Sequence, residues 1–226
     1  MLVGDWMTEG VLTIQPGAPI FDAMVMMRDA GIRQIPVIEA SGLVAGIVSD
    51  RDIRDAMPSK FLPGDSAAGN GEGLMSLKVK DIMTHDPYIV SPDTCMEVAA
   101  EILLEKKIGG LPVVDEFGLV GIVTEVDVYR FLTTVTGVSK GSSQFAFVLD
   151  DTASALEELL NDLWARGVRL STVFTSYEGV KQGARRVFIW VQKLDDETVE
   201  SLVLHLKKTY DLRYHVHRGE TYKSEF

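Results

Sequence analysis

The sequence predicts an α+β protein in which two copies of a βαββα unit are followed by a smaller βαββαβ domain. Three observations support this prediction: a set of short blocks occurs twice, a glycine-rich stretch separates the two copies, and the repeat stops after Thr133. The predicted boundaries are 1–57 for the first repeat, 58–77 for a flexible linker, 78–133 for the second repeat, 134–143 for a second linker and 144–220 for the last domain.

The repeat is defined by three blocks that recur at almost the same distance along the chain. The blocks are Asp5-Trp6-Met7-Thr8 with Asp81-Ile82-Met83-Thr84, Ile32-Arg33-Gln34-Ile35-Pro36-Val37 with Ile108-Gly109-Gly110-Leu111-Pro112-Val113, and Gly46-Ile47-Val48-Ser49-Asp50-Arg51-Asp52 with Gly121-Ile122-Val123-Thr124-Glu125-Val126-Asp127. Such self-similarity indicates a tandem duplication.

Within each copy the pattern predicts strand, helix, strand, strand and helix. Short apolar runs at 11–14 and 88–90 are interpreted as first strands because each precedes a turn containing proline. Apolar residues at helical spacing then predict a helix that ends near Gly31, and two further apolar runs predict a strand pair before the last helix. After the second linker, the predicted elements are strand 145–149, helix 153–166, strands 168–175 and 187–191, helix 195–210 and strand 212–217, the order of a split βαβ domain with an antiparallel sheet.

Composition excludes several classes of function. The formal net charge of −11 argues against a nucleic acid or an anionic membrane as the main partner. No apolar run approaches the ~18 residues of a membrane span, and Asp5 stands where a signal peptide carries basic residues, so a cytoplasmic protein is expected. With Cys95 as the only cysteine, neither a disulfide nor a thiolate cluster is expected.

The sequence offers no catalytic or metal-binding constellation. No nucleophile is paired with a base, so we expect no catalytic residue and no enzyme. His215 and His217 alternate on one predicted strand and share a side, but no third ligand is near in the sequence, so we expect a solvent-facing strand and no metal.

The most informative block is Gly-x-x-Ser/Thr-x-x-Asp, which falls where a buried strand gives way to a helix. The hydroxyls of Ser49 and Thr124 are placed to cap the helix or bind a phosphate, and Asp52 and Asp127 are placed one turn later to accept both hydroxyls of a ribose. A plain capping box accounts for one such block without a ligand. Two blocks, each paired with a proline-containing strand, favour a ligand.

These motifs resemble a pair of CBS domains, the tandem nucleotide-sensing unit called a Bateman module, over about residues 1–133. The remainder is similar to an ACT-like regulatory domain, and the combination resembles acetoin-utilisation AcuB-type proteins. ACT domains that bind amino acids usually carry glycine between the first strand and helix. This chain has Asp150-Asp151-Thr152 there, which favours dimerisation or signal transfer.

The CBS resemblance implies pseudo-symmetric packing of the repeats around two clefts, each lined from both copies. Ser49 and Asp52 would hold ribose in one cleft, with adenine against Met83, Thr84, Ile108, Gly109, Gly110 and Pro112. The second cleft would use Thr124 and Asp127 with Met7, Ile32, Arg33, Gln34 and Pro36. Arg33 and Arg51 are the candidate phosphate ligands, unless Arg51 pairs with Asp50 or Asp55.

The expected function is therefore non-catalytic sensing of AMP, ADP, ATP or S-adenosylmethionine as a regulatory ligand rather than a cofactor. The ACT-like domain would relay binding through a homodimer or to an unidentified target protein, in acetoin or central carbon metabolism. The alternative is an interaction module whose clefts are empty or are plugged by Met7 or Met83, acting through dimerisation or a partner.

Overall fold

A computed structural model describes residues 1–57, 76–137 and 141–224. Most of the predicted linker between the repeats lies outside these residues. The chain forms two compact units, Met1–Tyr129 and Arg130–Phe226. Nowhere in the described ranges is a helix long and apolar enough to cross a bilayer.

The first unit contains the first repeat and most of the second, and each repeat supplies a helix, a β-hairpin and a second helix. The elements of the first repeat are α1 (Ile20–Ala30), β1 (Gln34–Ile38), β2 (Val44–Ser49) and α2 (Asp50–Ala56). Those of the second are β3 (Thr84–His85), α3 (Met96–Lys106), β4 (Gly110–Asp115), β5 (Gly118–Thr124) and α4 (Glu125–Thr136). The hairpins β1–β2 and β4–β5 are antiparallel, and each carries a bulge after its valine, Val37 or Val113.

The predicted first strand of each repeat is wrong. Residues 11–14 and 88–90 contribute only one parallel bridge apiece, Ile14 with Val37 and Val90 with Val113. The adjoining turns at Pro16 and Pro92 leave too short an extended segment for a ladder. The repeat is therefore a bridge followed by αββα.

The opening segment of each repeat packs on the other repeat. The amide of Val3 donates to the carbonyl of Thr94, and Thr8 forms a bridge with Ile122. Reciprocally, the amide of Val79 donates to the carbonyl of Ala18, and β3 pairs with β2. Because Val3 and Val79 are both fully buried, each repeat completes its core with a residue from its neighbour.

The second unit is a five-stranded antiparallel sheet with two helices. Its elements are β6 (Ser143–Asp150), α5 (Ala153–Ala165), β7 (Leu170–Ser176), β8 (Ala184–Val191), α6 (Asp196–Thr209), β9 (Asp211–His217) and β10 (Glu220–Lys223). The strand order is β10-β9-β6-β8-β7. Alternate residues of β6, β8 and β9 form one core with both helices, around Phe145, Phe147, Leu159, Leu163, Ile189 and Leu206. The elements follow the order βαββαβ with β10 added as an unpredicted edge strand.

Two details of this half differ from the sequence prediction. Helix α4 continues to Thr136, beyond the expected end of the second repeat at 133, and it crosses from the first compact unit into the second. His215 and His217 do not lie on a solvent-facing strand surface: His215 is 9% exposed, stacks against Phe145 and belongs to the core side of the sheet. The alternation of the two histidines predicted that they share one side of the sheet, but it could not predict that the helices cover this side.

Candidate functional site: the hydroxyl–aspartate blocks of the two repeats

Both repeated blocks form a capping box at the start of a helix. Asp52 Oδ2 accepts hydrogen bonds from the backbone amide of Ser49 (2.7 Å) and from its hydroxyl (2.7 Å), while the amide of Asp52 donates to Ser49 Oγ (3.3 Å). The local spacing of three residues dictates this geometry. Among the described residues, Oδ1 of Asp52 makes no hydrogen bond. The cap therefore uses only one oxygen of the carboxylate.

The second block repeats this arrangement almost atom for atom. Asp127 Oδ2 accepts from the amide and the hydroxyl of Thr124, both at 2.8 Å, and the amide of Asp127 donates to Thr124 Oγ1 at 3.4 Å. Asp127 is 4% exposed, whereas Asp52 is half-buried, so the two carboxylates differ in their access to solvent.

The two repeats adjoin where β1 and β4 begin. Gln34 lies directly opposite Ser49 in its hairpin, and Gly110 lies directly opposite Thr124, so each pair shares one face of its hairpin. The Gln34 side chain extends over the second repeat: a Cβ at Gly110 would overlap its carboxamide, and one at Gly109 would lie 3.9 Å from it. Gln34 of the first repeat therefore lies beside Gly110 of the second.

A threonine from each opening segment joins the face that carries the other repeat's hydroxyl. Thr84 is the antiparallel partner of Ile47, which shares a face with Ser49, and Thr8 is the partner of Ile122, which shares a face with Thr124. Both threonines are exposed. Thr8 was not among the sequence-predicted site residues, although its equivalence to Thr84 in the repeated Asp-x-Met-Thr block is the signal that identifies it.

Met83 and Met7 lie over the glycines that open the two repeated blocks, on the face opposite the hydroxyls, and their place in the adenine pockets stays a prediction. A Cβ at Gly46 would lie 2.7 Å from Met83 Sδ, and one at Gly121 would lie 2.5 Å from Met7 Sδ. Gly46 shares its face with the buried Val48, and Met83 is 8% exposed within the core of the first repeat. The methionines fill the space over these glycines and do not plug the face that carries the hydroxyls.

The two candidate phosphate arginines are solvent-exposed and make no ion pair with a described residue. Asp50 pairs instead with Arg54 at 3.0 Å, so the proposed competition for Arg51 does not occur within the described ranges. The carbonyl of Arg33 accepts from the amide of Asp50 (2.8 Å), as that of Gly109 accepts from Glu125 (3.2 Å). The backbone of Arg33 therefore adjoins the Asp52 block of its own repeat, and its contact with a ligand at the Asp127 block stays a prediction.

The remaining predicted pocket residues occupy equivalent places in the two repeats. Pro36 and Pro112 are buried on the face of the hydroxyls, opposite Ile47 and Ile122. Ile32 is half-buried against the core of its repeat, and Ile108 is half-buried where α3 leads into β4.

A serine–histidine–aspartate chain in the second unit has no catalytic geometry. Ser143 Oγ lies 2.8 Å from His217 Nδ1, and Asp196 Oδ1 lies 2.9 Å from His217 Nε2. Ser143 is fully buried, so its hydroxyl is inaccessible to a substrate. The three side chains tie β6, β9 and α6 together. Within the described residues no group of three or more His, Cys, Asp or Glu is arranged to hold a metal ion.

The duplicated fold and blocks are those of tandem CBS domains, and the chain belongs to the CBS-domain family: the model of that family matches residues 3–59 and again 79–134. A CBS domain-containing protein of Dictyostelium discoideum is 32% identical over 136 residues, covering 60% of this chain and 93% of that protein. An inosine-5'-monophosphate dehydrogenase of Korarchaeum cryptofilum is 41% identical over 53% of this chain, but the match spans only 22% of the enzyme.

Two solved structures extend the likeness. CBSX2 of Arabidopsis thaliana in complex with AMP is 31% identical with a TM-score of 0.50, covering 59% of this chain and 97% of that one. A Vibrio cholerae protein assigned to acetoin utilization (AcuB) is 27% identical with a TM-score of 0.51, covering 62% of this chain and 95% of that one. These matches leave about two fifths of this chain outside them.

Proposed function

We propose that this chain is a non-catalytic regulatory protein that binds an adenine nucleotide between its two CBS repeats. The observation that carries the proposal is the pair of hydroxyl–aspartate blocks, each facing a threonine from the other repeat's opening segment. A ligand held by groups from both repeats favours one relative arrangement of them, by as much as its affinities for the alternative arrangements differ.

Different residues are chemically suited to different parts of the nucleotide. The Oδ1 atom of Asp52, which the cap leaves unused, is suited to accept the ribose hydroxyls, and Asp127 holds the equivalent position in the second block. The exposed guanidinium groups of Arg33 and Arg51 are suited to pair with phosphate oxygens. The apolar face around Pro36 and Pro112 is suited to an adenine ring.

AMP is the first ligand to test because CBSX2 is solved in complex with AMP. ADP, ATP and S-adenosylmethionine are the alternatives that contain the same adenosine group. The likeness to the Vibrio AcuB protein supports acetoin metabolism as the setting, and growth on acetoin of a strain lacking this chain tests it.

We further propose that the second unit is ACT-like and relays binding through a homodimer or to a target protein. Its βαββαβ order and strand order support this kinship. In the turn between β6 and α5, Thr152 caps the helix and its carbonyl accepts from Arg185, an arrangement that supports relay over amino-acid binding.

The rival function is a structural interaction module. Both capping boxes are complete without a ligand, and this observation favours the rival because it explains the repeated block by helix capping alone.

Calorimetry and thermal melts with AMP, ADP, ATP, S-adenosylmethionine and GMP separate the two functions. AMP at 100 times its Kd is expected to stabilise the fold by about 2.7 kcal/mol. Asp52→Asn and Asp127→Asn are each expected to remove binding in one cleft, and Asp55→Asn, an exposed neighbour on α2, is the matched control. Flat titrations with every ligand, from a protein that melts cooperatively, would establish the interaction module instead.

A further inference from the structure

We infer that the second unit binds single-stranded nucleic acid on the face of its sheet that is turned away from α5 and α6. Bases stack on the aromatic side chains of this face, and phosphates pair with Arg186 and Lys223. The inference goes beyond the nucleotide proposed for the first unit and does not depend on it.

A row of side chains crosses all five strands on this face. The strand pairings place its members directly opposite one another, in the order Lys223 (β10), Tyr214 (β9), Ala146 (β6), Phe188 (β8) and Phe174 (β7). Arg186 and Trp190 lie two residues to either side of Phe188 on β8 and therefore share its face. The alternate positions, such as Phe147 and Ile189, belong to the core that packs against the two helices.

The rings on β7 and β8 form a contiguous aromatic surface. Phe174 and Trp190 lie edge to face with their centroids 5.5 Å apart, and the centroids of Phe188 and Trp190 are 6.5 Å apart. Phe174 is 38% exposed, and Phe188, Trp190 and Tyr214 are half-buried, so each presents part of its side chain to solvent. Because the solvent side of an antiparallel sheet is ordinarily polar, an aromatic cluster there indicates a binding surface.

The chemistry and the extent of this surface favour a nucleic acid strand. Every base has a π face that stacks on an aromatic ring, whatever the base sequence. Tyr214 and Phe174 are three strand spacings apart, about 14 Å, so one free nucleotide cannot stack on both, whereas successive unpaired bases of a strand can. Arg186 donates one N–H to the carbonyl of Gly179 and keeps further donors for a phosphate.

The charge of the second unit does not oppose this partner. Residues 130–226 contain as many Lys and Arg as Asp and Glu, so the formal net charge of −11 belongs to residues 1–129. Within the second unit, α5 and α6 carry more acidic than basic residues, and they lie on the other side of the sheet. Among the described strand residues of the aromatic face, the exposed Arg186 and Lys223 outnumber the acidic Asp150. The local charge therefore complements a phosphate backbone.

Fluorescence anisotropy of the full chain with a labelled oligouridylate of about twelve nucleotides tests the stacking. Phe188→Leu and Trp190→Leu keep an apolar side chain but remove the ring, and each is expected to weaken binding about tenfold. Trp164→Leu is the matched control, because this ring is 56% exposed but lies on α5, and it is expected to leave binding unchanged. Circular dichroism melts confirm that each variant is folded.

The dependence of binding on salt tests the phosphate contacts. Arg186→Gln and Lys223→Gln are each expected to reduce the slope of log K against log salt concentration by about 0.7, the value for one phosphate contact with a single strand. Lys208→Gln, at an exposed position of α6, is the control and is expected to leave the slope unchanged.

Several outcomes would overturn the inference. These are no binding by wild type, equal binding by wild type, Phe188→Leu and Trp190→Leu, and competition by UMP as effective as that by unlabelled oligomer, which would assign the face to a free nucleotide. Loss of binding in saturating AMP would place the strand in the first unit. A dimer in sedimentation that Phe188→Leu dissociates, without nucleic-acid binding, would assign the face to a second copy. Oligomer binding by a wild type that ignores AMP would overturn only the proposed function.

Discussion

Gly46 shows why a single residue type is required at the start of the repeated block. Its Cβ would lie 2.7 Å from both Met83 Sδ and the carbonyl oxygen of Thr84, and the latter is backbone that cannot move aside cheaply. The glycine is needed because the opening segment of the second repeat packs closely on β2, not because a ligand approaches it.

Gly46→Ala is therefore expected to lower the free energy of unfolding by about 1–3 kcal/mol, the usual cost of overpacking. Urea denaturation followed by circular dichroism measures it. Gly17→Ala is the matched control, because a Cβ there would meet nothing within 4 Å. Equal stabilities of the two variants would contradict the close packing of β3 on β2.

His215 gives the second unit a dependence on pH. Its ring lies between Phe145 and Tyr222, at centroid distances of 6.2 and 4.9 Å, and its buried Nδ1 has no hydrogen-bond partner. Burial, reinforced by Lys207 and His217, lowers the pKa of His215 below its usual 6.5. The unfolded chain therefore takes up a proton that the folded chain excludes.

The stability that His215 contributes is full above pH 6.5 and is lost as the pH falls from there towards the lowered pKa of the folded state. We expect urea denaturation to show lower stability of the second unit at pH 5 than at pH 7.5. His215→Phe is expected to reduce this difference, whereas His85→Phe, at an exposed position of the first unit, leaves it unchanged. An unaltered pH dependence in His215→Phe would refute this assignment.

At the scale of elements, the exchange of opening segments couples the two repeats. Backbone hydrogen bonds join the first eight residues to Pro92, Thr94, Met96 and Ile122 of the second repeat. Each repeat therefore buries a valine that the other supplies, Val3 in one direction and Val79 in the other.

Deleting residues 1–8 is expected to weaken the second repeat selectively. In hydrogen exchange, the amides of Met96 and Ile122 are expected to lose protection, since they donate to the carbonyls of Met1 and Thr8. The amides of Ile14 and Ile38, bonded within the first repeat, serve as the internal control. A greater loss of protection at Ile14 and Ile38 than at Met96 and Ile122 would contradict the packing of the first segment on the second repeat. Val3→Ala is a milder variant with the same expected pattern.

At the scale of the whole molecule, the two units have separate cores. The cluster around Phe145 and Phe147 draws only on the second unit, and that around Ile35 and Val37 only on the first. Independent cores allow each unit to unfold in its own transition.

Scanning calorimetry of the full chain is therefore expected to show two transitions. Phe147→Ala is expected to lower the free energy of unfolding of the second unit by about 3–5 kcal/mol and to shift only its transition. Ile35→Ala is expected to lower that of the first unit by about 2–5 kcal/mol and to shift only the other transition. Phe147 is 1% exposed and Ile35 is fully buried, so the two changes are comparable truncations. Both variants shifting one shared transition would show that the units unfold as one.

The sequence by itself determined the features that depend on neighbours along the chain. The duplication, the two hairpins, the hydroxyl–aspartate caps and the element order of the second unit follow from short-range spacing, since a cap needs only a residue and its third successor. The CBS family follows from the same blocks. The ACT-like kinship, the dimer and the bound nucleotide stay predictions.

Only the tertiary structure decided on which face of a strand each side chain lies and against which repeat it packs. Met83 and Thr84 are adjacent in sequence, but pairing with β2 sends the first into the core and the second to the face of Ser49. The placement of Gln34 over Gly110 joins residues 76 positions apart. Such contacts depend on how the two repeats pack together, and this packing is set by the burial of side chains from both, which no local pattern encodes.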